Sequence, residues 1–268
     1  MGLDVAAFVF GTLVGAIGTM VGVGGGFVIV PVVALLEPAW STRTVTAFSL
    51  AVVCANACGG TSAYLRQRRV DVRSVAWFAL AAIPGVFLGV FGANQFERGW
   101  FDKVFGALLG AMAIALAFAP HAASGHGFGT TRRELVDEDG HRYAWSFSMR
   151  IGLAGSVLVG VVSALFGIGG GPIQVPFLIS LLNFPEHVAT ATSHGVLAIT
   201  SLVATVIHVA QGDYAGDYVQ VLCTAAGALI GAPIGARVSK LISGRVLVRI
   251  LAGMLAFIAL RLELPQRR

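Results

Sequence analysis

The stretch GVGGGFVIVP, Gly22–Pro31, sets three consecutive glycines inside an apolar run. Each glycine weakens a helix by roughly 1 kcal/mol relative to alanine, so a helix entering this stretch is expected to stop there. The same pattern returns as GIGGGPIQVP, Gly167–Pro176. Extended outward, LVGAIGTMVGVGGGFVIVP from Leu13 aligns without gaps to LVGVVSALFGIGGGPIQVP from Leu158, with nine of nineteen positions identical at a spacing of 145 residues. The match continues: Thr46–Leu50 (TAFSL) meets Thr190–His194 (TATSH), and Gly85–Gly89 (GVFLG) meets Gly227–Gly231 (GALIG). The chain reads as an internal duplication.

Composition sets the solvent. Of 268 residues, 56% are hydrophobic and only 12% are charged, against about 25% charged in a soluble domain. So few charges cannot cover a water-facing surface of this size. The apolar runs are continuous rather than alternating, which excludes a β-barrel. The fold class is all-α: a polytopic integral membrane protein. The net charge is +5, but the basic residues lie at the ends of apolar runs, where membrane topology puts them, so nucleic acid is not an expected partner. Membrane lipid is. Cys54, Cys58 and Cys223 all lie in apolar runs without zinc spacing, so no metal and no cofactor are expected. The N-terminus has neither a basic n-region nor a clear cleavage site, so it reads as a retained membrane segment.

Apolar segments run over 2–36, 44–64, 74–96, 101–119, 151–182, 188–210, 217–239 and 246–264. The long polar stretch Gly125–Arg150 divides them, and its ELVDEDGHRYAW core carries an Asp-Gly turn that suits a β-hairpin. The predicted domains are a first transmembrane repeat (1–119), a polar cytoplasmic connecting loop (120–150) and a second transmembrane repeat (151–268). The loop RQRRVDVR holds Arg66, Arg68, Arg69 and Arg73, while its counterpart QGDYAGDY holds no base. At the next loop the asymmetry reverses: NQFERGWFDK offsets its bases with acids, whereas Arg237, Lys240, Arg245 and Arg249 stand without acids. Basic loops mark the cytoplasm, so the halves are expected to sit in opposite orientations, as inverted repeats. Inversion requires an odd number of net crossings per half. Segments 2–36 and 151–182 are far longer than the ~20 residues of one crossing. Each is therefore predicted to be a broken, re-entrant helical hairpin with its glycines at the tip.

Irregular backbone inside a membrane is tolerated where it is buried in protein or lines a cavity. A helix restarting after Gly24, Gly25 and Gly26, or after Gly169, Gly170 and Gly171, presents unpaired N–H groups and about half a positive charge. That is an anion site without a buried base. The alternative is close packing alone, which is the reading preferred for Gly85, Gly89, Gly227, Gly231 and Gly235. Neither a P-loop nor a dinucleotide fingerprint fits the spacing. Ser49 and Ser193 are equivalent in the repeat and are candidate oxyanion donors. Thr192 and Gln174 are further candidate contacts. His194, ionisable inside an apolar segment, is a candidate for substrate or proton binding. Arg43, at the outer mouth, either attracts anions or anchors at headgroups. His208 reads as interfacial and Asn56 as a helix–helix contact. No hydrolase constellation is present, so the chain is not expected to be an enzyme.

Two copies of G-x-GGG-x4-P, each followed by a T-x-x-S or T-x-T-S-H cluster, resemble the TauE/SafE sulfite-exporter family over nearly the whole chain outside the central loop. The resemblance implies export of a small sulfur oxyanion (sulfite, or an organosulfonate such as sulfoacetate) across the bacterial inner membrane. Uptake of another anion such as thiosulfate is the alternative direction, and an anion channel the alternative mechanism. The family motif carries onto Gly24, Gly25, Gly26, Gly169, Gly170, Gly171, Ser49 and Ser193. A homodimer is the expected assembly, because dimers are common among such folds.

Overall fold

The structure is a computed structural model that describes residues 2–93, 98–117, 129–214 and 218–263. It is helical, with one two-stranded sheet. The order is α1 (Gly2–Met20), α2 (Gly26–Leu36), α3 (Thr42–Arg66), α4 (Val72–Ala93), α5 (Arg98–Ala117), β1 (Thr131–Val136), β2 (Arg142–Phe147), α6 (Met149–Phe166), α7 (Gly171–Ser180), α8 (Glu186–Gln211), α9 (Tyr218–Leu241) and α10 (Gly244–Glu263). Helices α3, α4, α6, α8 and α9 are each long and apolar enough to cross a membrane. The chain is a polytopic all-α membrane protein.

Each long apolar segment breaks at its glycines. Gly25 (φ 82°) and Gly170 (φ 86°) adopt the left-handed conformation and cap the helices that follow. A side chain there would be strained. Before the first break the N–H groups of Val23 and Gly24 both turn back to the Gly18 carbonyl, at 2.8 and 3.2 Å. The restarted helices α2 and α7 have only 11 and 10 residues. At 1.5 Å per residue each is about 15 Å long, half the thickness of a bilayer core.

The long arm of each broken segment lies along a helix of the other half. Helix α1 packs along α9, and α6 along α4. Small residues make these approaches possible. A methyl group on Gly227, Gly231 or Gly235 would stand 2.1, 2.1 or 2.0 Å from the carbonyl oxygen of Phe8, Thr12 or Ala16. On Gly85 or Gly89 it would stand 2.1 or 2.3 Å from that of Val157 or Val161. The glycines assigned to packing do pack. Asn56 works as expected too, donating from α3 to the Gly15 carbonyl of α1 at 2.8 Å.

The Asp-Gly turn does close a hairpin, with β1 antiparallel to β2 and Glu134 opposite Ala144. It docks on the helices. Glu138 N–H donates to Gln67 O at 3.1 Å, Arg69 and Arg133 reach Asp137 and Asp71, and Lys240 pairs with Glu138 and Asp139. Trp145 and Phe147 close over Phe184, each with ring centroids 5.1 Å away. The predicted boundary at 119/120, the Asn94–Glu97 part of one charge-bearing loop and the 215–217 part of another lie outside the described residues.

Candidate functional site

The two glycine tips cross in the middle of the molecule. A methyl group on Gly26 would stand 2.8 Å from the Ile168 backbone, and one on Gly171 2.4 Å from that of Val23. Each tip therefore starts its second helix against the other. Gly24 and Gly169 face the same two side chains, Val53 and Leu197, which occupy the middle of α3 and α8. Every residue of both tips, 21–26 and 167–171, is buried.

Hydroxyl groups hold the tips in a matched way. Ser49 Oγ donates to the Gly167 carbonyl at 2.6 Å, and Ser193 Oγ to the Gly22 carbonyl at 3.2 Å. Gly22 and Gly167 are counterparts at the 145-residue spacing. Each serine thus grips the opposite half's tip, and its proton is committed to backbone. Thr46 and Thr190 bond back to the carbonyls of Arg43 and Glu186 in their own helices, as membrane threonines commonly do.

Gln174 lies one turn into α7 and is 2% exposed. Neither its Nε2 nor its Oε1 has a partner. It lines a cavity of about 10 Å³ with Gly169, Gly170, Ser163, Ser193 and Thr200, roughly the room one water-sized group requires. Val28 and Ile29 both bond to the Gly25 carbonyl, and Ile173 and Gln174 both to that of Gly170. The first-turn N–H groups of Gly26, Phe27 and Gly171 thus have no acceptor within their own helices.

The remaining candidates have partners of their own. His194 Nε2 meets Thr19 Oγ1 at 3.2 Å and Asn56 Oδ1 at 3.4 Å, with the Tyr64 ring edge-on at 5.6 Å. Thr192 Oγ1 accepts the Asp71 N–H at 3.1 Å and so ties α8 to the α3–α4 connection. Arg43 is paired: Nε lies 2.6 Å from Asp213 Oδ1, and the guanidinium also donates to Gln211. Its side chain is 35% exposed, so the guanidinium pairs with Asp213 at the protein surface. His208, in the last turn of α8, is buried within the protein, with Nδ1 2.7 Å from Asp213 Oδ2. Asp137, Asp139 and His141 cluster in the hairpin turn, but Asp137 Oδ1 already accepts the Asp139 and His141 N–H groups at 3.0 and 2.9 Å. That cluster locks a turn. Sequence reasoning missed Val53 and Leu197. The signal was available, because the TAFSL/TATSH match makes them counterparts.

Broken half-helices meeting head to head inside a bundle of apolar spans define a membrane transporter of the broken-helix type. The comparisons agree. The chain matches the family described as Sulfite exporter TauE/SafE over residues 7–262 and belongs to it. It is 29% identical over 211 residues to the probable membrane transporter protein YunE of Bacillus subtilis, covering 76% of this chain and 77% of that one. It is 26% identical over 204 residues to a probable membrane transporter protein of Methanocaldococcus jannaschii, covering 72% and 68%. A third, from Haemophilus influenzae, is 25% identical over 201 residues, covering 70% and 67%. No solved structure matches the chain. The protein is a multi-pass membrane transporter and not an enzyme.

Proposed function

We propose that the chain is a secondary transporter that exports a small sulfur-containing oxyanion, sulfite or an organosulfonate, by alternating access between two inverted repeats. The observation that carries this reading is the crossing of the tips. Two helix N-termini converge there without a basic side chain, beside a buried amide that has no partner. Backbone N–H groups and helix dipoles are a known means of holding oxyanions. The substrate would meet the backbone of Gly24 and the N–H groups of Gly25 and Gly26 and of Gly169, Gly170 and Gly171, with Gln174 beside them. Ser49, Ser193 and Thr192 act through the backbone they hold. The burial of both tips favours a carrier over an open channel, since the centre must reshape to admit an ion. An inside-negative potential favours anion exit by about 2.3 kcal/mol per charge per 100 mV, so export needs no coupled ion.

The test is sulfite flux in proteoliposomes. A carrier gives saturable flux that is accelerated by sulfite on the opposite face. Linear, unsaturated flux without that acceleration would identify a channel, and no flux for any sulfur oxyanion would remove the reading.

A further inference from the structure

We propose, resting on the transporter reading above, that His194 is a proton site whose imidazole takes up a proton when the anion binds at the tips. The neighbours fix the tautomer. Thr19 Oγ1 donates its hydrogen to Asn56 Oδ1 at 3.1 Å, and the Asn56 amide donates to the Gly15 carbonyl. The two atoms beside His194 Nε2, Thr19 Oγ1 at 3.2 Å and Asn56 Oδ1 at 3.4 Å, are thus both acceptors. Nε2 must carry the ring hydrogen, which leaves Nδ1 as a bare lone pair. Nδ1 is buried and has no partner, in a residue that is itself fully buried. It is an open proton acceptor.

Packing does not call for an imidazole here. The TAFSL/TATSH match pairs His194 with Leu50 and Gly60 with Ala204, and the glycine-motif match pairs Thr19 with Ala164. Leu50, Ala164 and Ala204 form a buried apolar cluster with Val86 and Val90. In the other copy Gly60 makes the room for the ring, since a methyl group on it would stand 2.5 Å from His194 Cδ2. The same place is built twice, once from hydrocarbon and once around an ionisable group. An ionisable group kept inside a membrane where a leucine suffices points to function.

The groups that face His194 are uncharged. Helix α1 presents Thr19, and α3 presents Asn56, Gly60 and Tyr64, whose ring stands edge-on at 5.6 Å. Helix α4 presents Val75 to the adjacent Gly195. Helix α9 reaches the cluster through Ser239, 3.4 Å from the Tyr64 hydroxyl. Tyr64 is the titratable group among them. On α8 itself, Glu186, His187 and His208 lie about two turns away or more. An imidazolium would therefore stand without a counter-charge, which a dry interior resists. An anion at the tips supplies one. Thr190 and Ser193, on the same stretch of α8, hold the first tip: Ser193 Oγ grips the Gly22 carbonyl, and a methyl group on Gly22 would stand 2.7 Å from Thr190 Cγ2. Proton and anion thus each favour the other's binding. The proton comes from water and adds to the Nδ1 lone pair, and no other bond changes. A dianion leaving with one proton still carries one net negative charge, so an inside-negative potential continues to favour exit.

The experiment counts protons and sulfite together in proteoliposomes that hold a pH-sensitive dye, with the membrane potential clamped at zero and at mildly alkaline pH, where sulfite is mostly a dianion. Entry of radiolabelled sulfite through the unaltered protein should acidify the lumen by about one proton per sulfite, as one imidazole allows. His194→Leu copies the other half, and His194→Gln keeps polarity without a titratable nitrogen. Both should carry sulfite with that acidification lost. Acidification per sulfite that persists in both variants would put the proton on the cargo, overturning the proton site and leaving the transporter reading standing. Sulfite entry without acidification in the unaltered protein would do the same. Variants that unfold at the unaltered temperature yet carry no sulfite would make His194 a substrate contact and not a proton site. Absence of sulfite entry in the unaltered protein would overturn the transporter reading, and this inference with it.

Discussion

Gly171 and Gly170 are adjacent, yet they exclude a side chain for different reasons. Gly170 has φ 86°, a backbone state that costs L-residues roughly 1–2 kcal/mol. Gly171 is helical, but a methyl group there would lie 2.4 Å from the Val23 backbone. Gly171→Ala must therefore push the tips apart. It should destabilise the detergent-purified protein by about 1–3 kcal/mol and abolish sulfite flux. Gly212→Ala is the comparison: φ is 71° and nothing lies within 4 Å, so it should carry the backbone cost alone and keep flux. Equal flux in the two variants would show that the crossing is not the working part. Ser49→Ala strips a 2.6 Å bond from a buried carbonyl and should cost about 1–3 kcal/mol by thermal unfolding. The repeat in the sequence marked Ser49 and Ser193 as equivalents. It could not name their acceptors, because each acceptor lies in the other half, more than a hundred residues away.

At the scale of elements, the hairpin illustrates the same limit. An Asp-Gly turn between β-compatible flanks is a local signal and was legible. Docking on the α3–α4 connection and on the end of α9 depends on contacts between distant charges, Arg69, Arg133 and Lys240 with Asp137, Asp71, Glu138 and Asp139, and was not. Burial alone would raise the Asp137 pKa. The backbone N–H groups of His141 and Asp139 and the His141 ring more than offset this, so it lies below the ordinary carboxylate value. A lowered pKa means that ionised Asp137 stabilises the docked turn above the ordinary carboxylate range, and that this stabilisation is lost as pH falls through the folded value. Trp145 reports the state, being 8% exposed against Phe184. In a protein with Trp40, Trp77 and Trp100 replaced by Phe, emission should shift red as pH falls below that range. Asp137→Asn should remove the pH dependence of the shift. A spectrum with identical pH dependence in both proteins would assign the transition to another group.

Across the whole molecule, the 145-residue offset identified which positions are equivalent, and hence two halves. It did not reveal that the halves interlock. An offset compares residues of like environment, while α1 lies on α9 and α6 on α4, pairs that are unlike in sequence. Interlocking makes orientation testable, because inverted repeats bring their hairpins in from opposite faces. Ala39, after α2, and Asn183, after α7, end the returning arms of the two hairpins. If the repeats are inverted, these residues lie on opposite sides of the membrane, and the Arg-rich α3–α4 connection shares a side with Asn183. Single cysteines at Ala39, Gly212, Arg68 and Asn183, in a protein with Cys54, Cys58 and Cys223 replaced by Ala, convert this into a labelling pattern. A membrane-impermeant maleimide applied to intact cells should modify the Ala39 and Gly212 positions, and the Arg68 and Asn183 positions only after permeabilisation. Labelling of Ala39→Cys and Asn183→Cys from one side would mean that both hairpins enter from the same face. The tips could then not meet head to head, and the anion site built from two helix N-termini would lose one of them.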